Sequence, residues 1–89
     1  MRYPDHANAD NAMFWMGEAY LGHNEPARAI EQWEALLARF PQGNKAPDAL
    51  LKIALTQKSA GESDKAKATL ARLRSRFPSS DAAKRAPKV

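Results

Sequence analysis

No cysteine occurs in the chain, which excludes a disulfide framework, a thiolate metal site and a cysteine nucleophile together. Histidine is nearly as scarce: His6 and His23 stand in separate loop-like stretches with no triad or ligand spacing around them, so both read as surface residues. No run of about 18 apolar residues is present, so nothing predicts a membrane-spanning helix, and Met1-Arg2-Tyr3-Pro4 opens no signal peptide. A glycine-rich phosphate loop is also missing. Eighty-nine residues suffice for one modest core but not for an enzyme core with an elaborate cleft, so function is expected to reside on a surface, with no catalysis and no cofactor.

What the chain does contain is internal repetition. Shifted by 37 residues, Ala12 falls on Ala49, Met16 on Ile53, Ala29 on Ala66, Leu36 on Leu73, and Phe40-Pro41 on Phe77-Pro78. Tyr3-Pro4 lies one more shift upstream and is expected to close a preceding unit, which suggests a piece of a longer chain. Periods of this length signal a solenoid of helical hairpins. The boundaries predicted are a single domain over 1–89, with units at about 9–43 and 46–78 and the opening of a third at 79–86.

Helical periodicity fills these units. On α-helical spacing, Met13, Met16, Gly17 and Tyr20 share a stripe about 100° wide, with Phe14 and Leu21 beside it and Trp15 on the far side. Asn24 is suited to a left-handed turn, after which Pro26 opens a helix whose inward stripe is Ala29, Ile30, Trp33, Leu36, Leu37 and Phe40. Pro47 and Asp48 occupy a further first turn, followed by Leu50, Ile53 and Ala54 facing inward. Gly61 ends that helix, Ser63 is the expected cap of the next, and Ala66, Leu70, Leu73 and Phe77 point inward. Ser79 or Ser80 caps a short last helix, halted by Pro87. The fold class predicted is all-α, two helical hairpins plus a short C-terminal helix, with Met16, Tyr20, Ala29, Trp33, Leu36, Ile53, Ala66, Leu70 and Leu73 buried.

Residues Met13, Met16-Gly17, Tyr20, Ala29, Trp33 and Pro41 together resemble the tetratricopeptide repeat, and the likeness covers nearly the whole chain. The second unit departs from the pattern at Ala54, in place of glycine, and at Gln57, in place of tyrosine. The wording Tyr-Pro-Asp, Trp-Met-Gly-Glu-Ala-Tyr and Lys-Ala-Pro-Asp-Ala-Leu-Leu-Lys-Ile further resembles the C-terminal repeats of the YbgF/CpoB family of the Tol-Pal system. That resemblance implies a periplasmic location, a TolA-like protein partner and a role in coordinating envelope constriction with peptidoglycan synthesis. The outer-membrane assembly lipoprotein BamD carries similar Tyr-Pro repeats and stands as the rival.

The resemblance to tetratricopeptide repeats places a groove on the first helix of each unit, at Asn11, Phe14, Glu18 and Leu21, then Asp48, Leu51, Leu55 and Lys58. Phe14, Leu51 and Leu55 would anchor a partner segment while Glu18 and Lys58 set its register. The alternative is that they pack against a neighbouring repeat. Trp15 is either a partner anchor or the contact for a preceding helix, and its exposure predicts self-association through the N-terminal face. Charge is uneven, at net −3 over residues 1–43 and +7 over 44–89. On the last long helix, however, Lys65, Arg72 and Arg76 fall on one flank and Lys67 and Arg74 on the other, with no interleaved aromatic, which disfavours nucleic acid as the partner.

Overall fold

In the computed structural model, residues 7–87 are described, and Tyr3-Pro4 and His6 lie outside them. Five helices follow in order: α1 (Ala7–Gly22), α2 (Pro26–Arg39), α3 (Ala46–Ser59), α4 (Ser63–Arg76) and α5 (Asp81–Arg85). No strand occurs among the described residues. Helix α2 packs on α1 and α4 on α3 as two hairpins, α2 joins the hairpins by packing on α3, and α5 closes against α3 and α4.

The 37-residue period extends to the turns. Asn24 and Gly61 both adopt positive φ, 62° and 82°, one being the non-glycine residue that tolerates this conformation well and the other glycine. Glu25 N–H donates to the Tyr20 carbonyl at 2.9 Å, and Glu62 N–H to the Gln57 carbonyl at 2.9 Å. This is the bond that closes a helix around a left-handed residue. Each turn is followed by the same ion pair, Glu25 with Arg28 at 3.3 Å and Glu62 with Lys65 at 3.2 Å. Because the turn already delivers the chain in helical direction at Glu62, α4 begins one residue earlier than expected: Ser63 is its first residue and not its cap. The last helix starts as predicted, with the Ser80 hydroxyl accepting from Ala83 N–H at 3.0 Å.

A continuous core runs through both hairpins, with Trp33, Leu36, Leu50, Ile53, Leu70 and Leu73 essentially inaccessible. Its tightest contact lies within the first hairpin. Trp33 lies against Gly17 so closely that a Cβ at that glycine would sit 2.2 Å from the indole nitrogen. The same nitrogen donates to the Phe14 carbonyl at 3.1 Å, which fixes the ring in its plane. In the second hairpin the corresponding pair is Ala54 and Leu70, a larger residue on one helix matched by a smaller one on the other.

Two predicted core residues of α1 prove otherwise. Met16 is 51% exposed and Tyr20 is only half-buried, whereas Phe14 and Asp10 are buried. The inward face is rotated by roughly 50°, half of one residue's step, towards Phe14. The cause is asymmetric cover: α2 shields one flank of α1, Lys45 at the entry to α3 lies over Phe14 and bonds Asp10, and Met16 is left exposed. Ile53, one period on, occupies the same position on α3 and is fully buried because α2 lies there.

Candidate functional site

The first helices of the two units, α1 and α3, carry the predicted groove, and its residues separate into floor, walls and rim. Phe14 belongs to the floor. At 5% exposure it is a core residue and not a partner anchor, its ring 6.4 Å from that of Trp33 and capped by the Lys45 ammonium at 5.0 Å. Leu21 and Leu51 are half-buried and Leu55 is 38% exposed, so these three leucines supply the apolar surface within reach of a ligand. Asn11 is half-buried, and Lys58 is exposed at the rim.

Glu18 and Lys58 are the two charges expected to set a partner's register. Glu18 is itself ion-paired with Lys52, 3.1 Å away across the α1–α3 boundary, and this pair bridges the two units. Asp48 lies between two cations, Lys45 at 3.9 Å and Arg85 at 4.0 Å, the latter reaching back from α5. These pairs are part-exposed, so each contributes little to stability, on the order of 0–1 kcal/mol. Their value lies in fixing where charge stands along the groove.

Beyond Leu21 the groove deepens into a cleft of about 330 Å³ lined by Leu21, Asn24, Pro26, Lys52, Leu55 and Thr56. It lies where the exit of α1, the first residue of α2 at Pro26 and the last turns of α3 come together. A second cleft, of about 380 Å³, opens on the other side of Pro26, Thr56 and Ala60, with Ile30, Gln57 and Lys65 on its walls. The two flank one ridge, so the edge of the molecule that carries the hairpin turns is grooved on both sides. Trp15, 57% exposed, lies apart from these clefts on the open flank of α1, its ring 5.2 Å from that of Phe14 in an edge-on contact.

Two functional details escaped the sequence reading. Asp10 is buried, and its Oδ2 accepts from the Lys45 backbone N–H at 3.1 Å, so a carboxylate of α1 anchors the entry to α3. Gly43 permits the approach, since a Cβ there would stand 2.7 Å from the same oxygen. The signal was present: Asp10 falls on the Gly17 side of α1 by helical count, beneath a loop containing glycine. The other detail is Gln57 in the tyrosine's place, buried and accepting from the Thr69 hydroxyl at 2.7 Å, so the departure from the repeat pattern is satisfied internally.

Chemically this surface can bind but has no reactive constellation. Among the described residues no three His, Asp or Glu side chains converge to hold a metal, and no helix is long and apolar enough to cross a membrane. The arrangement is a shallow apolar channel with charge fixed along its length, suited to a segment of another protein. No curated protein matches the sequence. A tetratricopeptide repeat family model matches residues 11–43 and 48–80. With two matched units spanning most of its length and the stacked hairpins to go with them, the chain belongs to the tetratricopeptide repeat family, whose helical hairpins serve as protein–protein interaction modules.

Proposed function

We propose that the α1–α3 groove takes up a helical or extended segment of a cell-envelope protein, with Leu21, Leu51 and Leu55 as apolar anchors and the Glu18–Lys52 pair fixing its register. The observation that carries this reading is the 330 Å³ cleft between α1 and α3 walled by the half-buried Leu21 and the exposed Leu55, with the half-buried Leu51 one turn before Leu55 on α3. A leucine side chain entering such a cleft gains about 1.5–3 kcal/mol, so two or three anchors supply roughly 3–9 kcal/mol before the cost of association, and the complex is expected to be weak and reversible. Asn11, Asp48 and Lys58 supply the polar rim.

The finer reading is that the partner is TolA-like and the setting periplasmic, with the module linking the Tol-Pal system to envelope constriction during cell division. Its support is the wording of the two units, above all Trp-Met-Gly-Glu-Ala-Tyr in α1 and Lys-Ala-Pro-Asp-Ala-Leu-Leu-Lys-Ile across the start of α3.

Titration calorimetry with the periplasmic part of TolA tests both levels. Saturable binding is expected, weakened at least tenfold (about 1.4 kcal/mol) by Leu21→Asp with Leu55→Asp. Binding that ignores both substitutions would remove the groove from the reading. No binding to TolA at all would end the Tol-Pal assignment.

A further inference from the structure

The second cleft opens between Pro26, Ala27 and Ile30 of α2 and Thr56, Gln57 and Ala60 of α3, and all of these residues lie inside the two matched units. Gln57 sets its chemistry. It stands one period after the bulkier Tyr20 and is 9% exposed. The Thr69 hydroxyl engages the oxygen of its amide at 2.7 Å, while the amide nitrogen has no acceptor among the described residues. Among those residues the one side-chain polar atom both fully enclosed and unpartnered is Asp10 Oδ1, so the Gln57 nitrogen is reachable, and the cleft that Gln57 lines is where it is reached.

A deeply set amide donor calls for an acceptor. The charges at the cleft, Glu62 and Lys65, pair with each other at 3.2 Å and leave none spare to select an ion. The acceptor that fits is therefore neutral and accompanied by apolar bulk, to lie against the half-buried Ile30 and the exposed Ala27 and Ala60. A main-chain carbonyl beside an aliphatic side chain has that character. The route to it is also present, because Pro26, Thr56 and Ala60 line both clefts, and a segment leaving the groove past Leu21 and Leu55 meets the second cleft directly across that ridge.

We infer that the second cleft is a peptide subsite, filled by the continuation of the segment held in the α1–α3 groove. The identity of the occupant rests on the groove reading, whereas the subsite is defined by residues of its own. Past its leucine anchors the segment crosses the ridge at Pro26 and Ala60, sets one aliphatic side chain against Ile30, and accepts a hydrogen bond from the Gln57 amide at its main chain. The groove thus reads side chains, and Gln57 holds the backbone that carries them.

Two measurements separate the subsite from the groove. The first uses no partner protein: heteronuclear NMR of the full chain titrated with N-acetyl-leucine-N-methylamide, one aliphatic side chain between two peptide groups. The Gln57 side-chain amide and the backbone signals of Ile30 and Ala60 should move, with a dissociation constant of about 1–50 mM. The Ile30 and Ala60 shifts should be lost in Gln57→Met and in Ala27→Phe, and kept in the Leu21→Asp, Leu55→Asp chain. Neither blocking variant threatens the fold, since Ala27 is exposed and the Thr69 hydroxyl also lies 3.0 Å from the Lys65 carbonyl, to which it donates once the glutamine is gone. The second measurement is calorimetry with the periplasmic part of TolA, in which Gln57→Met should weaken binding about threefold to tenfold. Signals that stay still, or fragment binding that survives Gln57→Met, would overturn the subsite. TolA binding that needs Leu21 and Leu55 but ignores Gln57→Met would overturn the continuous segment and leave the groove reading standing. A fragment that binds at Gln57 while TolA binds nowhere would uphold the subsite and end the Tol-Pal assignment alone.

Discussion

Replacing Gly17 by alanine adds one methyl group and should be among the most damaging small changes available to this chain. Helix propensity alone favours the substitution by about 1 kcal/mol. Against that, the new Cβ would stand 2.2, 2.5 and 2.7 Å from three atoms of the Trp33 ring. The ring is wholly buried and tied to the Phe14 carbonyl, so it cannot slide away without losing that bond, and α1 and α2 must separate instead. Overpacking of this severity costs about 3 kcal/mol and the lost hydrogen bond about 1 kcal/mol, leaving a net destabilisation near 3 kcal/mol. For a chain of this size that is about 12–24 °C in Tm. The second hairpin supplies the control, because Ala54 and Leu70 fill the corresponding positions. Trp33→Leu alone should cost about 2–4 kcal/mol through the cavity it leaves. The double variant Gly17→Ala, Trp33→Leu should be more stable than the sum of the singles by at least about 1.5 kcal/mol. Urea unfolding followed by circular dichroism measures all three. A neutral or stabilised Gly17→Ala chain, or strict additivity in the double variant, would refute the steric argument.

Two further outcomes follow from the turns and junctions. Asp10→Ala removes the acceptor for Lys45 N–H and should cost about 1–2 kcal/mol, with faster amide hydrogen exchange concentrated at the start of α3; unchanged exchange there would show that the carboxylate does not hold the junction. Asn24→Gly should be neutral to within about 0.5 kcal/mol, whereas Asn24→Val, forced to φ near 62°, should lose about 1–3 kcal/mol by urea unfolding; equal stability of the two would remove backbone strain as the reason for asparagine.

The helices and turns were legible because they rest on local chemistry. Pro26 and Pro47 mark first turns, and Asn24 and Gly61 mark the left-handed exits. The second-helix stripe was equally clear at Ala29, Trp33 and Leu36, since a helix packed on one broad face has one apolar stripe. Helix α1 is apolar nearly all round, and there periodicity has no phase to report. Its true inward direction depends on which neighbours exist, so Met16 was placed inside and Phe14 in the groove, each wrongly. The charges were harder still. That Glu18 meets Lys52, and that Asp10 reaches Lys45, depends on the stagger of one hairpin on the next, which no single-helix count contains.

That stagger has a mechanical consequence. The first junction is fastened by Asp10 to the Lys45 backbone and by Glu18 to Lys52. The second has no counterpart to the Asp10 fastening, because Pro47 occupies the matching position and offers no acceptor in its side chain. What holds α5 there is chiefly Ala82 in the core, the Arg74 guanidinium on the Pro87 carbonyl and the long Arg85–Asp48 contact. Under tension applied through its two ends the chain therefore yields asymmetrically. The C-terminal turn, held by Ala82 with Ala83 and Ala86 packed beside it and by a few surface contacts, is expected to peel before the hairpin boundary bearing Asp10, and force spectroscopy that shows the reverse order would refute this.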